Sequence, residues 1–354
     1  MNDFNDFYAE GAQALFDRGV KEVPRAYIQP QHERPSAAAR LVPGKQLPVI
    51  DLSRFHGDGR NQVMEELKSA CESWGFFHLI NHGFPDSSMK AMLEVVRQFF
   101  ELPAEIKMRF FQKIGTGRKA RYGLSFNTEL DRVSDWKDFL AHPCHPLSDE
   151  LISTWPDVPL HYREIATEYA KNVRALALRL LALLSESLGL RESFIYEAFK
   201  GHHQLLVINH YPPCPQPDLT LGVRGHTDVY GFTIVQHDDV PGLEVMKDGS
   251  WYAVSSIPNA FVINIGDQLE ILSNGRYKSI KHRAVVNSER TRFSIVSFYG
   301  PSHDATIAPA AEVIRQQPDQ KAEYREILFE DYLREFFSRG LDNKFNINSL
   351  KIKK

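Results

Sequence analysis

Between Gly201 and His303 the chain breaks into short β-rich runs: QLLVINHY, FTIVQH, GLEVM, WYAV, AFVINIG, KSIKHRAVV and RFSIVSFYG. The turn signals PPCPQP, DVPG, KDGS and SNGR part them. That texture predicts an antiparallel barrel or sandwich. On both sides in sequence the pattern turns helical. Gln62–Ser73 carries Val63, Leu67 and Ala70 at helical spacing, and Met89–Phe100 is a helix that stops before Pro103. Leu160–Leu188 keeps apolar residues at i, i+3 and i+4 over about eight turns without Pro or Gly. A last amphipathic helix, Lys321–Arg339, ends at Gly340. LPVIDL (Leu47–Leu52) and the stretch from Trp74 to Phe84 read as further strands.

The expected fold is therefore a mainly β core with flanking helices. Its parts are an extended arm over residues 1–46, a mixed helix and strand region over 47–200, a β core over 201–303 and a helical segment over 304–354. Gly11–Arg18 is a short helix within the arm, and Pro24, Pro30, Pro35 and Pro43 keep the remainder extended.

Composition narrows the function classes. Lys and Arg total 42 against 45 Asp and Glu, a net charge of −3, which gives no electrostatic case for nucleic acid. The most apolar stretch, Ala175–Leu184, is broken by Arg179 and is too short for a bilayer span, so no membrane role is expected. The opening MNDFNDFYAE has neither signal-peptide nor transit-peptide character, and three scattered cysteines make no disulfide framework. The expectation is a cytoplasmic monomer, an enzyme or binding protein acting on a small molecule.

His-x-Asp occurs three times among 14 histidines, where roughly one match is expected by chance at an average Asp content. Context separates them. His56/Asp58 lies in the Gly-rich turn HGDGR, and His237/Asp239 ends a strand where Asp239 reads as a turn residue. His226 and Asp228 sit on an extended segment where i and i+2 share a face, so both side chains can reach one ion. Downstream, His282 stands in KSIKHRAVV. Two imidazoles and one carboxylate with open positions is the facial set of non-haem Fe(II) oxygen chemistry, and the absence of thiolates argues against structural zinc. In the run RFSIVSFYG, Arg292, Ser294, Val296 and Phe298 share one face. An arginine facing a barrel interior needs a carboxylate, and a ligand acid is a candidate.

Other clusters read as structure. HPCHP (His142, Cys144, His145) is cramped between prolines and is expected to be a loop. Asp267, after Gly266, reads as a turn carboxylate, Cys214 as a packed turn residue, and His202 and His203 as residues before the first core strand.

The run N-x-Y-P-P-C (Asn209–Cys214), H-T-D (His226–Asp228), H-R (His282, Arg283) and R-x-S (Arg292–Ser294) resembles the plant 2-oxoglutarate- and Fe(II)-dependent dioxygenases, a family similar to isopenicillin N synthase. PVIDL, WGFFHLINHG, FFELPAEIK and GDQLEILSNGRYKSIKHR extend the resemblance over about residues 15–340. The resemblance implies a double-stranded β-helix, or jelly roll, with Fe(II) on His226, Asp228 and His282. It places the distal carboxylate of 2-oxoglutarate on Arg292 and Ser294, with Tyr211 and Asn209 against the same co-substrate. It also implies O₂ as co-substrate, release of succinate and CO₂, and ascorbate as reductant.

Within the family, HTDV, VPGLEV and GDQLEILSNGRYKSIKHR are similar to the anthocyanidin synthase and flavonol synthase-like members. That similarity implies hydroxylation or desaturation of a plant aromatic metabolite of the flavanone type. Phe298 matches a ring that stacks on the flavonoid in such enzymes, and Val207, His210 and Tyr230 depart from the pattern, where a lysine, a tyrosine and a small residue are usual. Tyr122–Phe139 is expected to add an aromatic wall, with Phe126 and Trp136 as its candidates. A phenylpropanoid ester or a hormone is the alternative substrate, an ascorbate-using oxidase of the ethylene-forming type a narrower one, and a non-catalytic metal-binding jelly roll the reading from a different class.

Overall fold

The computed structural model describes residues 11–35, 46–55, 57–111, 120–124, 133–319, 321–339 and 345–352. In chain order the strands are β1 (Val49–Asp51), β2 (Phe76–Ile80), β3 (Arg121–Gly123), β4 (Asp138–His145), β5 (His203–Tyr211), β6 (Val223–His226) and β7 (Phe232–His237). They continue as β8 (Leu243–Lys247), β9 (Ser250–Ala253), β10 (Phe261–Ile265), β11 (His282–Ala284), β12 (Arg292–Gly300), β13 (Thr306–Ile307) and β14 (Ile327–Leu328). Eight of them form one sheet in the order β1-β2-β10-β7-β12-β5-β4-β3, and β6-β11-β8-β9 form a second. One cavity is lined from both sheets, by Val207, Val235 and Val296 from the larger and Val223, Leu243 and Ala284 from the smaller. This mainly β core with flanking helices is the jelly roll that the family resemblance implied, within the barrel or sandwich class that the β-rich texture predicted.

Period-2 alternation positions the site. In β12 the even residues from Arg292 to Phe298 face the cavity, while Phe293, Ile295 and Tyr299 are buried on the back. β5 alternates in step, with Leu205, Val207, Asn209 and Tyr211 inward. The two pair antiparallel from Arg292↔Tyr211 to Gly300↔His203. Helices Asp86–Glu101 and Tyr162–Ser187 back the larger sheet. Tyr162–Ser187 buries Ala166, Tyr169, Val173, Leu180 and Leu184, each large apolar side chain contributing about 1.5–3 kcal/mol. Side chains stitch the layers: Gln204 donates to the Ala170 carbonyl at 3.1 Å and Gln236 to the Met89 carbonyl at 2.8 Å.

Three expectations are corrected. HPCHP is no loop: His142, Cys144 and His145 lie in β4, whose register on β5 slips between Pro143 and His145, as a strand proline requires. His142 is buried against Trp155 (ring centroids 4.2 Å apart) and bonds the Tyr162 hydroxyl, so it is a core residue. The last amphipathic helix begins at Phe329, because Ile327–Leu328 pairs with Thr306–Ile307 first. Trp136 does not face the cavity. It packs with Ala12, Leu15, Val23, Tyr27 and Cys214, and its indole donates to the Pro212 carbonyl at 3.1 Å, so it clamps the N-terminal arm. Phe126 and His56 fall outside the described residues.

Candidate active site

β6 and β11 pair with His226 directly opposite His282, which brings their ring centroids to 4.3 Å. Asp228 follows β6 by two residues, and its Oδ1 lies 3.5 Å from His226 Nε2 and 3.6 Å from His282 Nε2. One donor atom from each of the three lies within 4.8 Å of the others. Such a trio fits one divalent ion held on a single face.

The surroundings assign the remaining atoms. Nδ1 of His226 bonds the Arg224 carbonyl at 2.8 Å, and Nδ1 of His282 bonds the Ile280 carbonyl at 3.1 Å. A carbonyl only accepts, so each Nδ1 carries the proton and each Nε2 presents a lone pair toward the trio. Asp228 Oδ2 accepts from the Thr233 hydroxyl and from Asn264 Nδ2, both at 2.6 Å, which leaves Oδ1 as its free atom. Burial opposes charge on Asp228, but His282, His226 and the Thr233 hydroxyl outweigh it and hold the carboxyl well below the usual range. Burial, with His226 alongside, pushes His282 down to about 4, so it is the neutral imidazole that a metal requires. Gly266 allows the turn after Asp228 to close: a Cβ there would lie 2.3 Å from the Tyr230 carbonyl oxygen. Asp267 opens the helix Asp267–Leu272, rather than a turn, and accepts from the Tyr332 hydroxyl at 2.7 Å.

A second polar group stands across the cavity. Arg292 opposes Tyr211 and Ser294 opposes Asn209 on the paired strands. Arg292 is buried, its guanidinium carbon 5.0 Å from the Tyr211 ring centroid. Its Nε has no partner, and no described carboxylate lies within ion-pair distance. Gly242 leaves it room, since a Cβ there would approach Arg292 Cδ to 2.7 Å. Asn209 donates to the Ser294 hydroxyl at 3.2 Å and accepts from Lys137 Nζ at 2.9 Å. A cation, two hydroxyls and an amide on one patch make a receptor for a carboxylate.

The cavity between these groups measures about 540 Å³. Phe298, Tyr230 and Val207 line it. Sequence reasoning missed Lys137, Phe139, Arg121, Phe336 and Phe337, which line it too. A signal existed for two of them, because Lys137, Phe139 and Ala141 alternate from the residue before β4 into that strand. Nothing local marked Phe336 and Phe337, which arrive from the distant C-terminal helix.

Residues 47–158 match the family described as the non-haem dioxygenase in morphine synthesis N-terminal domain, and residues 202–301 match the 2OG-Fe(II) oxygenase superfamily. Protein DMR6-LIKE OXYGENASE 1 of Arabidopsis thaliana is 43% identical over 329 residues, 93% of each chain. The chain belongs to the 2OG-Fe(II) oxygenase superfamily.

This oxygenase is also 39% identical to flavanone 3-dioxygenase 2 of Oryza sativa subsp. japonica, over 95% of this chain and 96% of that one. Its fold matches the crystal structure of JOX2 in complex with 2OG, Fe and JA with a TM-score of 0.86 at 34% identity, over 97% and 98% of the two chains. As a 2OG-Fe(II) dioxygenase it uses Fe(II) and 2-oxoglutarate. Among the described residues no helix is long and apolar enough to cross a membrane.

Proposed function

We propose that His226, Asp228 and His282 hold Fe(II), that Arg292 and Ser294 hold the distal carboxylate of 2-oxoglutarate with Tyr211 and Asn209 beside it, and that the substrate is a plant aromatic metabolite of the flavanone type. The observation that carries the reading is Arg292, buried in the wall of the same cavity as the triad with its Nε unpartnered. The residues fit the iron, since two lone pairs and one free carboxylate oxygen converge where hydrogen bonds already hold every other ligand atom.

Fe(II) bound there supplies the O₂ activation that couples decarboxylation of 2-oxoglutarate to oxidation of a substrate C–H bond. The chain's own part is positioning. Arg292 neutralises the co-substrate carboxylate through a charge-assisted fork, and the Ser294 and Tyr211 hydroxyls fix its angle. Thr233 and Asn264 keep Asp228 from turning. Val235, Leu243 and Phe76 exclude water from the same space. Phe298 and Tyr230, with ring centroids 5.1 Å apart, offer an aromatic wall for the substrate ring, and ascorbate serves as reductant.

The flavanone reading is supported by the flavanone 3-dioxygenase of rice and by a leucoanthocyanidin dioxygenase of Malus domestica, 37% identical over 316 residues. The three cysteines, buried and free, are compatible with a reducing cytoplasm. The test is succinate formation by purified protein with Fe(II), 2-oxoglutarate and ascorbate against flavanones, dihydroflavonols, phenylpropanoid esters and aromatic acids. Stimulation by a flavanone supports the substrate; stimulation only by other members moves the assignment to their class.

A further inference from the structure

Four cationic side chains line the cavity: Arg121, Lys137, Arg283 and Arg292. Three have an answer. Glu244 accepts from Arg283 at 2.7 Å, Asn209 accepts from Lys137, and Arg292 is assigned to the co-substrate. Arg121 is left.

Register shows where it stands. Val296 in β12 lies opposite Val207 in β5, Val207 opposite Ala141 in β4, and Ala141 opposite Arg121 in β3. All four line the cavity. Three short side chains therefore pave a floor that ends at a guanidinium, whose backbone is on the order of 14 Å from β12 at the usual strand spacing. The side chain lies over Phe139, its guanidinium carbon 5.0 Å from the ring centroid. Burial pushes it down to about 10, and the nearby Lys137 ammonium repels it rather than answering it. Tyr230 lines the same cavity as a neutral phenol, since burial raises it to about 12 against the opposing pull of the Arg121 cation. With no acid beside it among the described residues, a half-buried guanidinium is unfavourable unless something anionic comes to it.

We propose that Arg121, with the Tyr230 hydroxyl beside it, binds an anionic oxygen of the substrate, a carboxylate or an acidic phenol, at the end remote from the carbon that is oxidised. The inference rests on the dioxygenase reading above and deepens it: the substrate lies over Val207 and Ala141 with its charged end at β3, and Arg121 sets which aromatic metabolites are accepted.

Twin ligands separate the two sources of negative charge. The probes are 4-coumarate with its methyl ester, and naringenin with its 7-methyl ether. Each is titrated calorimetrically into anaerobic wild-type, Arg121→Gln and Arg121→Lys protein loaded with Fe(II) and 2-oxoglutarate, and each is assayed for succinate. Wild type should bind at least one anionic twin 10- to 100-fold better than its neutral partner. Arg121→Gln should erase that preference while moving the neutral twin less than threefold, and Arg121→Lys should keep part of it. Equal weakening of both twins in Arg121→Gln overturns the proposal, as does a wild type that prefers neither anionic twin. A change in the KM for 2-oxoglutarate larger than the change for the anionic twin also overturns it, by assigning Arg121 to the co-substrate. Absence of succinate with every compound counts against the substrate reading of the preceding section, whereas the binding preference is read without turnover.

Discussion

Thr233 donates its hydroxyl to Asp228 Oδ2 at 2.6 Å, and with Asn264 on the same oxygen it turns a freely rotating carboxylate into a fixed one. Only Oδ1 is left between the two imidazoles. Partners of this kind behind a ligand are worth about 10- to 100-fold in metal affinity. Thr233→Val should weaken Fe(II) or Mn(II) binding by that factor with little change in folding, and Thr233→Ser, which keeps the hydroxyl, should restore most of it. A metal titration of the two variants decides the point.

Arg292 is buried with its guanidinium against Tyr211, so its partner must bring the negative charge. Losing a hydrogen bond to a charged group costs roughly 1.5–3 kcal/mol, or about 10- to 150-fold in affinity. Arg292→Met should raise the KM for 2-oxoglutarate by that much or more. Arg292→Lys should recover only part, because an ammonium cannot form the two-pronged fork. Steady-state kinetics with 2-oxoglutarate as the varied substrate reads both.

Lys137 is buried, and desolvation pulls its ammonium from 10.5 to about 8. Below pH 8 it is charged in both folded and unfolded chains, and its burial cost, roughly 3 kcal/mol, is fully present. Between about 8 and 10.5 the unfolded chain binds the extra proton, so this contribution makes stability rise with pH. Lys137→Met should therefore stabilise the fold at pH 7, by about 1–2 kcal/mol after loss of the Asn209 bond, with the gain fading toward pH 10. The same variant should weaken 2-oxoglutarate several-fold, because Asn209 loses the group that orients it. Denaturant midpoints at the two pH values measure the first effect.

The shared faces of His226 with Asp228 and of Arg292 with Ser294 were legible from sequence for a physical reason: residues two apart on an extended segment share a face, and charge on an inward face demands a partner. His282, far away in sequence, was tied to them by the family resemblance. Helices such as Tyr162–Ser187 were legible from their apolar stripe. Alternation does not say which of two buried faces meets the cavity. Trp136 and Phe139 are both buried aromatics of one segment, yet the first clamps the arm and the second lines the site. Local reading also missed β14, whose pairing with β13 is a long-range event, and Phe336, which reaches the cavity from the far end of the chain.

That division gives a further expectation. Trp136→Ala should cost about 3–5 kcal/mol of stability yet leave substrate KM unchanged per folded molecule, whereas Phe139→Ala should raise KM. Thermal unfolding set beside kinetics on each variant distinguishes clamp from wall.

The central claim is that the oxygen of Asp228 left free by Thr233 and Asn264 holds the iron at which 2-oxoglutarate is consumed. Its most direct test is succinate formation by wild type and Asp228→Ala, both folded, with Fe(II), 2-oxoglutarate and O₂. Wild type should release succinate, faster with an accepted aromatic substrate, and Asp228→Ala should release none above background. Near-normal succinate from Asp228→Ala would contradict the account.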